Sequence, residues 1–178
     1  LDEIVLNDWA WYQDHGITLH AGFKVTQVDR IHRSVTACHA DGRTVQAGYD
    51  RLILATGSNP FMLPLPGHDL PGVLAYRDIA DTQAMIDAAA QYKHAVVIGG
   101  GLLGLEAANG LMKRGMQVTV VHVGEWLMER QLDKVAGQML QASLEARGMQ
   151  FRMAAQTSAL VAGDRKSTRL NSSHSDRS

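Results

Sequence analysis

The chain has 178 residues, 46% of them hydrophobic and 20% charged, with a formal net charge of −1; this supports one sizeable core or two small ones and sets up no global field for nucleic acid or an anionic membrane surface. The lone cysteine, Cys38, excludes a disulfide framework within the chain and suits a reducing, cytoplasmic setting, and the eight histidines show no metal-ligand spacing. No apolar run reaches the roughly 18 residues of a membrane span, and the acidic opening LDEIVLNDWAW, without an initiating Met, is expected to be neither a secretory signal nor a native start.

Residues 1–15 carry apolar side chains at helical spacing (Leu1, Val5, Leu6, Trp9 and Tyr12), and Gly16 stops the pattern. Trp9, Trp11 and Tyr12 are expected in a core or a domain contact. Residues 17–19 and 23–28 are short strand candidates. Residues 35–38 and 43–45 flank Asp41-Gly42, a pair that tolerates positive φ and predicts a tight hairpin turn; Cys38 beside it is expected to be structural. Residues 52–55 form a buried-strand candidate ending on Ala55, Thr56 and Gly57. A bare glycine there lets the backbone approach a ligand, although a plain strand-to-loop turn fits the same pattern. All four prolines fall within residues 59–72, which read as an irregular crossover. Residues 78–91 are helical in pattern, and Asp78, Asp81 and Asp87 read as a capped, solvated face rather than paired catalytic carboxylates.

From Ala95 the rhythm becomes strand, helix, strand, helix, strand, over residues 95–98, 102–114, 118–123, 132–147 and 151–154. Leu102, Leu105, Ala108 and Leu111 are expected to pack the first of these helices on a sheet. Lys113 and Arg114 stand at its negative end before Gly115. The alternation predicts parallel βαβ units, hence an α/β fold with a small antiparallel β region ahead of it. Residues 165–178, RKSTRLNSSHSDRS, are rich in Ser and Arg with Leu170 as their only large apolar residue. They are expected to be a disordered or non-native tail resembling translated vector read-through; a basic arm for nucleic acid is the competing reading.

Within the alternating region, Gly99, Gly101 and Gly104 form G-x-G-x-x-G directly after a strand and at the opening of a helix. That context turns a weak motif into a dinucleotide-binding expectation. The first glycine permits a tight turn, the second lets a diphosphate approach the backbone, and the third lets helix and strand pack closely. The helix N-terminus then faces the phosphates with free N–H groups. About 20 residues on, where an acid ordinarily holds the ribose, the residue is His122. A histidine there could accept the ribose 2′-OH or tolerate a 2′-phosphate, with Glu125 as a compensating acid, so the choice between NADH and NADPH stays open. A half-exposed strand-end histidine is the structural alternative.

The order of hairpin region, ATG strand, proline-rich crossover and GxGxxG unit resembles the FAD- and NAD(P)-dependent pyridine nucleotide oxidoreductases. GGGLLGLEAANGL, followed by VTVVHVGEWLMERQLD, resembles in particular the large subunits of assimilatory NAD(P)H nitrite reductases; LMERQLD is the most specific part, and WYQDHGITLHAG fits as well. The resemblance implies two Rossmann-like domains. Residues 1–76 would be the C-terminal part of the FAD domain, without its N-terminal fingerprint, and residues 77–164 an incomplete NAD(P) domain. Val25, Ala55, Thr56 and Gly57 would lie against FAD. Gly99, Gly100, Gly101, Leu102, Leu103 and Gly104 would hold the NAD(P)H diphosphate, with Glu106 near the nicotinamide and His122 near the ribose.

In such enzymes NAD(P)H gives hydride to FAD, and electrons pass to an iron–sulfur cluster and siroheme, where nitrite becomes ammonia. The cysteines for those centres are not among these residues, so the resemblance implies an electron-input module in which the cofactors supply the chemistry, with no catalytic acid, base or nucleophile. Its partners would be NAD(P)H and downstream redox centres or a small redox protein, with no nucleic acid or membrane; the oligomeric state stays open. The chain alone is expected to bind FAD poorly. Rubredoxin- or ferredoxin-type NAD(P)H reductases, a nucleotide sensor without turnover and a non-catalytic fragment are the alternatives.

Overall fold

The computed structural model describes residues 5–162 and Arg169–Leu170. The chain divides into two compact units, Leu1–Gly57 and Ser58–Ser178.

In the first unit, helix α1 spans Trp9–Asp14. It is shorter than its apolar spacing suggests, because Asp8 caps it by accepting the Trp11 N–H at 2.8 Å; residues 1–4 lie outside the described residues. Trp9 is 61% exposed and no residue of α1 is buried, so its aromatic residues form no core. Trp11 instead stacks on His15 with ring centroids 4.2 Å apart. Residues 17–19 form no strand: Ile17 and Leu19 are exposed.

Strands β1 (Phe23–Asp29), β2 (Ser34–His39) and β3 (Thr44–Gly48) form an antiparallel meander in that order. A bulge between Val25 and Gln27 breaks the β1–β2 register. The turn between β2 and β3 differs from the tight two-residue form. The Gly42 N–H closes it onto the His39 carbonyl at 3.0 Å, and only Gly42 takes positive φ, at +90°. That geometry is a turn followed by a left-handed residue, which the twist of a three-residue hairpin loop favours. The Cys38 thiol sits between the Thr26 and Thr44 hydroxyls at 3.8 and 3.7 Å.

Residues 52–55 are not a buried strand. Ile53 is 86% and Leu54 74% exposed, and among the described residues no strand pairs with them. An apolar run becomes a central strand only where neighbours supply a ladder and two covering faces.

In the second unit the proline-rich segment is a chain of turns: His68 N–H to Leu65 O at 3.0 Å, Leu70 to Gly67 at 3.1 Å and Val73 to Leu70 at 3.1 Å. Helix α2 (Ile79–Gln91) starts on a reciprocal capping box between Asp78 and Asp81. Then come β4 (His94–Ile98), α3 (Leu102–Lys113), β5 (Gln117–Val121), α4 (Lys134–Glu145) and β6 (Gln150–Arg152). The sheet order is β4-β5-β6, all parallel. This is an α/β fold of Rossmann-like βαβ units, with the antiparallel meander beside it in sequence. A short pair, β7 (Leu160–Val161) and β8 (Arg169–Leu170), is antiparallel; the rest of the expected tail lies outside the described residues.

Strand β5 is central, and Val118 and Val120 are essentially fully buried. They meet Leu105, Ala108 and Leu111 of α3, Phe151 of β6 and Met149 just before it, and Leu127 from the β5–α4 loop. Leu140 and Leu144 of α4 close the cluster. Leu102 is not on the packed face: it is 55% exposed. A spacing of three residues drifts by about 60° per step on an α-helix, so Leu102 and Leu111 point to opposite sides.

Candidate functional site

The glycine-rich turn is an extension of the sheet. The Gly99 N–H donates to the Val121 carbonyl at 2.8 Å, continuing the β4–β5 ladder by one step. Gly99 then takes φ +117°, which L side chains rarely adopt. Gly101 is the N-cap of α3 and contributes no side-chain acceptor. The first N–H groups of the helix have no intrahelical partner, and the helix dipole adds positive potential at the same end.

The three motif glycines are glycine for different reasons. At Gly99 the backbone conformation requires it. At Gly104 packing requires it, because a Cβ there would overlap the Gly99 carbonyl oxygen. At Gly101 neither applies: its φ of −85° and ψ of −177° suit any residue, and an added Cβ would meet nothing within 4 Å. The fold does not demand glycine at 101, and the space in front of it is open. This fits a dinucleotide diphosphate, which needs bare backbone, a helix N-terminus and room.

Gly100, between them, is buried and held on three sides. Its N–H donates to His122 Nδ1 at 3.1 Å, and its carbonyl accepts the Met128 N–H at 3.0 Å. A Cβ on Gly100 would come within 2.7 Å of Leu127 Cδ2 and 2.9 Å of His122 Cγ. Leu127 is fully buried beneath it, and Met128 holds φ +55°. His122 is 6% exposed rather than half-exposed. Its other nitrogen, Nε2, lies 2.8 Å from Glu129 Oε2. The Glu129 carboxyl is held below its ordinary value first by a hydrogen bond from its own backbone N–H, with the His122 ring and the charge of Arg130 adding to this and burial opposing it. The His122 backbone is tied to the β6 side, its N–H donating to Arg152 O at 2.9 Å and its carbonyl accepting from Ala155 at 3.0 Å.

The stretch LMERQLD therefore has a physical task that its sequence did not disclose. Leu127 fills the core under the glycine turn, Met128 bonds the Gly100 carbonyl, Glu129 engages His122, and Asp133 caps α4 by accepting the Ala136 N–H at 2.8 Å. The signal that could have found it is position: a mixed apolar and acidic run directly after the second strand of a βαβ unit.

The remaining expected site residues lie as follows. Leu102 and Leu103 open α3 with exposed side chains. Glu106 is exposed and lines a cleft with Tyr76, Thr82 and Arg114. That cleft holds about 80 Å³, far below the roughly 300 Å³ of a small-molecule pocket. Glu125 is bonded to Lys134 at 3.1 Å. Val25 stands exposed on β1 at the bulge, and Ala55, Thr56 and Gly57 are exposed in irregular chain, with Gly57 at φ +69°. Among the described residues no group of three or more His, Cys, Asp or Glu could hold a metal ion, and no helix is long and apolar enough to cross a membrane.

Comparison with known proteins places this geometry in context. The family profile described as pyridine nucleotide-disulphide oxidoreductase matches residues 6–176. The chain is 52% identical over 165 residues to a nitrite reductase [NAD(P)H] of Bacillus subtilis (strain 168), covering 93% of this chain and 20% of that protein. It is 43% identical over 171 residues to an assimilatory nitrate reductase electron transfer subunit of the same organism, covering 96% of this chain and 22% of that one. Among solved structures, a ferredoxin reductase from Rhodopseudomonas palustris superposes with a TM-score of 0.84 at 25% identity, covering 96% of this chain and 42% of that one. The chain thus spans about a fifth of the length of these two curated relatives.

Proposed function

The chain belongs to the pyridine nucleotide-disulphide oxidoreductase family, and from that premise we propose that it is the NAD(P)H-binding, flavin-facing electron-input part of an assimilatory nitrite reductase. The observation that carries this reading is Gly101: a glycine that neither backbone conformation nor packing requires, at an uncapped helix N-terminus facing open space. The likeness to a nitrite reductase at 52% identity supports the choice of pathway.

In the turn formed by Gly99, Gly100, Gly101, Leu102, Leu103 and Gly104, the first two residues have their N–H groups engaged within the chain and shape the loop, and the N–H groups from Gly101 onward at the start of α3 face the diphosphate of NAD(P)H. Ala55, Thr56 and Gly57, with Val25, face FAD, and Glu106 stands toward the nicotinamide. The two cofactors, when bound, supply hydride chemistry. The protein's part is to bind and orient them, and it needs no acid, base or nucleophile of its own. Residues 1–76 and 77–164 are accordingly assigned to the flavin and pyridine-nucleotide domains, and the setting is cytoplasmic. The likeness to a ferredoxin reductase favours one alternative acceptor, a small iron–sulfur protein.

The test is anaerobic addition of NADH or NADPH to the full-length protein carrying this chain. Bleaching of the flavin band, followed by its recovery with nitrite and the appearance of ammonia, is the expected result. Recovery only with a small iron–sulfur protein supports the alternative. A flavin that neither coenzyme bleaches contradicts both.

A further inference from the structure

The ring of His122 is buried at the end of β5, with a hydrogen-bond partner at each nitrogen. On one side is the Gly100 N–H, 3.1 Å from Nδ1. A backbone N–H can only donate, so Nδ1 must be the unprotonated nitrogen. On the other side Glu129 Oε2 lies 2.8 Å from Nε2. An ionised carboxylate can only accept, so Nε2 carries the proton. The two contacts agree on one species, the neutral Nε2–H imidazole, and together they hold it. An imidazolium would set an N–H against the Gly100 N–H, and the Nδ1–H tautomer would break both bonds.

We infer that His122 and Glu129 are positioning residues for the coenzyme: Glu129 fixes the histidine tautomer, and the histidine fixes the Gly99–Gly100 peptide of the diphosphate-binding turn. The inference rests on the reading that this turn holds NAD(P)H. It also changes the role of residue 122. Where an acid would reach out to the ribose, His122 has both nitrogens engaged inside the chain and acts through the loop instead of on the ligand. The other contacts on Gly100 point the same way. The Met128 N–H holds its carbonyl, in the next peptide, at 3.0 Å and Leu127 blocks movement into the core, so Gly100 is fixed through both its peptide groups while Gly101, next in the chain, faces open space. A turn held in its binding geometry before the ligand arrives avoids the ordering entropy of binding.

The test combines calorimetric titration of the full-length protein carrying this chain with NADH and NADPH and histidine ¹⁵N NMR. In the unliganded protein the His122 resonances should show an unprotonated Nδ1 and a protonated Nε2; Glu129→Ala should convert this to a mixture of tautomers, whereas Glu129→Gln, which keeps an acceptor, should preserve it. His122→Asn places an amide oxygen where Nδ1 stood, and should hold coenzyme affinity within about threefold, whereas His122→Phe leaves the buried Gly100 N–H unpaired and should weaken it roughly tenfold or more. Wild-type protein that binds neither coenzyme overturns the proposed function and leaves the tautomer measurement to decide the internal arrangement. Wild-type binding that survives in His122→Phe, or that falls equally in His122→Asn, overturns the positioning role. Should His122→Phe fail to fold, the NMR signature and the His122→Asn affinity still decide it: an Nδ1–H or doubly protonated ring contradicts the proposal outright.

Discussion

Leu127→Ala is expected to lower the stability of the second unit by about 3–4 kcal/mol, the range of large-to-small substitutions at sites that cannot collapse. Leu127 has no exposed surface and belongs to the main apolar cluster, although it sits in a loop and not in a helix or strand. Its neighbours resist relaxation. Above it Gly100 is pinned by His122 and Met128. Beside it, Gly137 of α4 packs against Trp126 and the Leu127 carbonyl so closely that an added Cβ would come within 2.5 and 2.7 Å of them. The void should therefore persist, and coenzyme affinity should fall as well, because the floor of the glycine turn is gone. Urea unfolding followed by circular dichroism measures the first effect. A loss below about 1 kcal/mol, at the level of an ordinary surface substitution, would show that Leu127 does not support the turn.

Gly104→Ala should combine a structural with a functional loss. The added methyl would overlap the Gly99 carbonyl oxygen, and backbone on one side faces helix on the other, so neither can yield without opening the β4–α3 junction. Overpacking of this kind costs about 1–3 kcal/mol. The shift displaces Gly99, whose φ of +117° leaves few alternatives, and NADH binding should drop below detection in the same protein. A variant with wild-type thermal midpoint and wild-type affinity would mean that the close approach of strand and helix is not what this glycine serves.

The elements that the sequence displays most clearly are those whose signals are local. The β4–α3–β5 unit could be read from Ala95 onward because the apolar strand, the glycines and the Lys113-Arg114-Gly115 stop lie within one short stretch. The helix from Asp78 could be read from its caps. Features set by distant partners were less legible. The run at residues 52–55 has the composition of a buried strand, but composition does not say which neighbours will cover it, and in this chain its side chains are exposed. Spacing by three placed Leu102 on a packed face, and the actual helical period turns it outward. His122 was legible as the residue that stands where an acid is expected at the end of the second strand. Its burial, and the use of both ring nitrogens, depend on partners 22 residues before it, at Gly100, and 7 residues after it, at Glu129. The motif LMERQLD was diagnostic as a string, while its structural task, holding the glycine turn from beneath, emerged only once the chain was folded.

The central claim is that bare backbone at Gly101 receives the coenzyme diphosphate, and calorimetric titration of the full-length protein carrying this chain, as wild type and as Gly101→Val, with NADH and NADPH tests it most directly. A Cβ at 101 enters open space in a backbone conformation that valine readily adopts, so the fold should hold with a loss of about 1 kcal/mol or less from replacing glycine at an N-cap, while binding should weaken by about 2 kcal/mol, roughly thirtyfold. Equal affinity in the two proteins, or no heat from either coenzyme with the wild type, would contradict it.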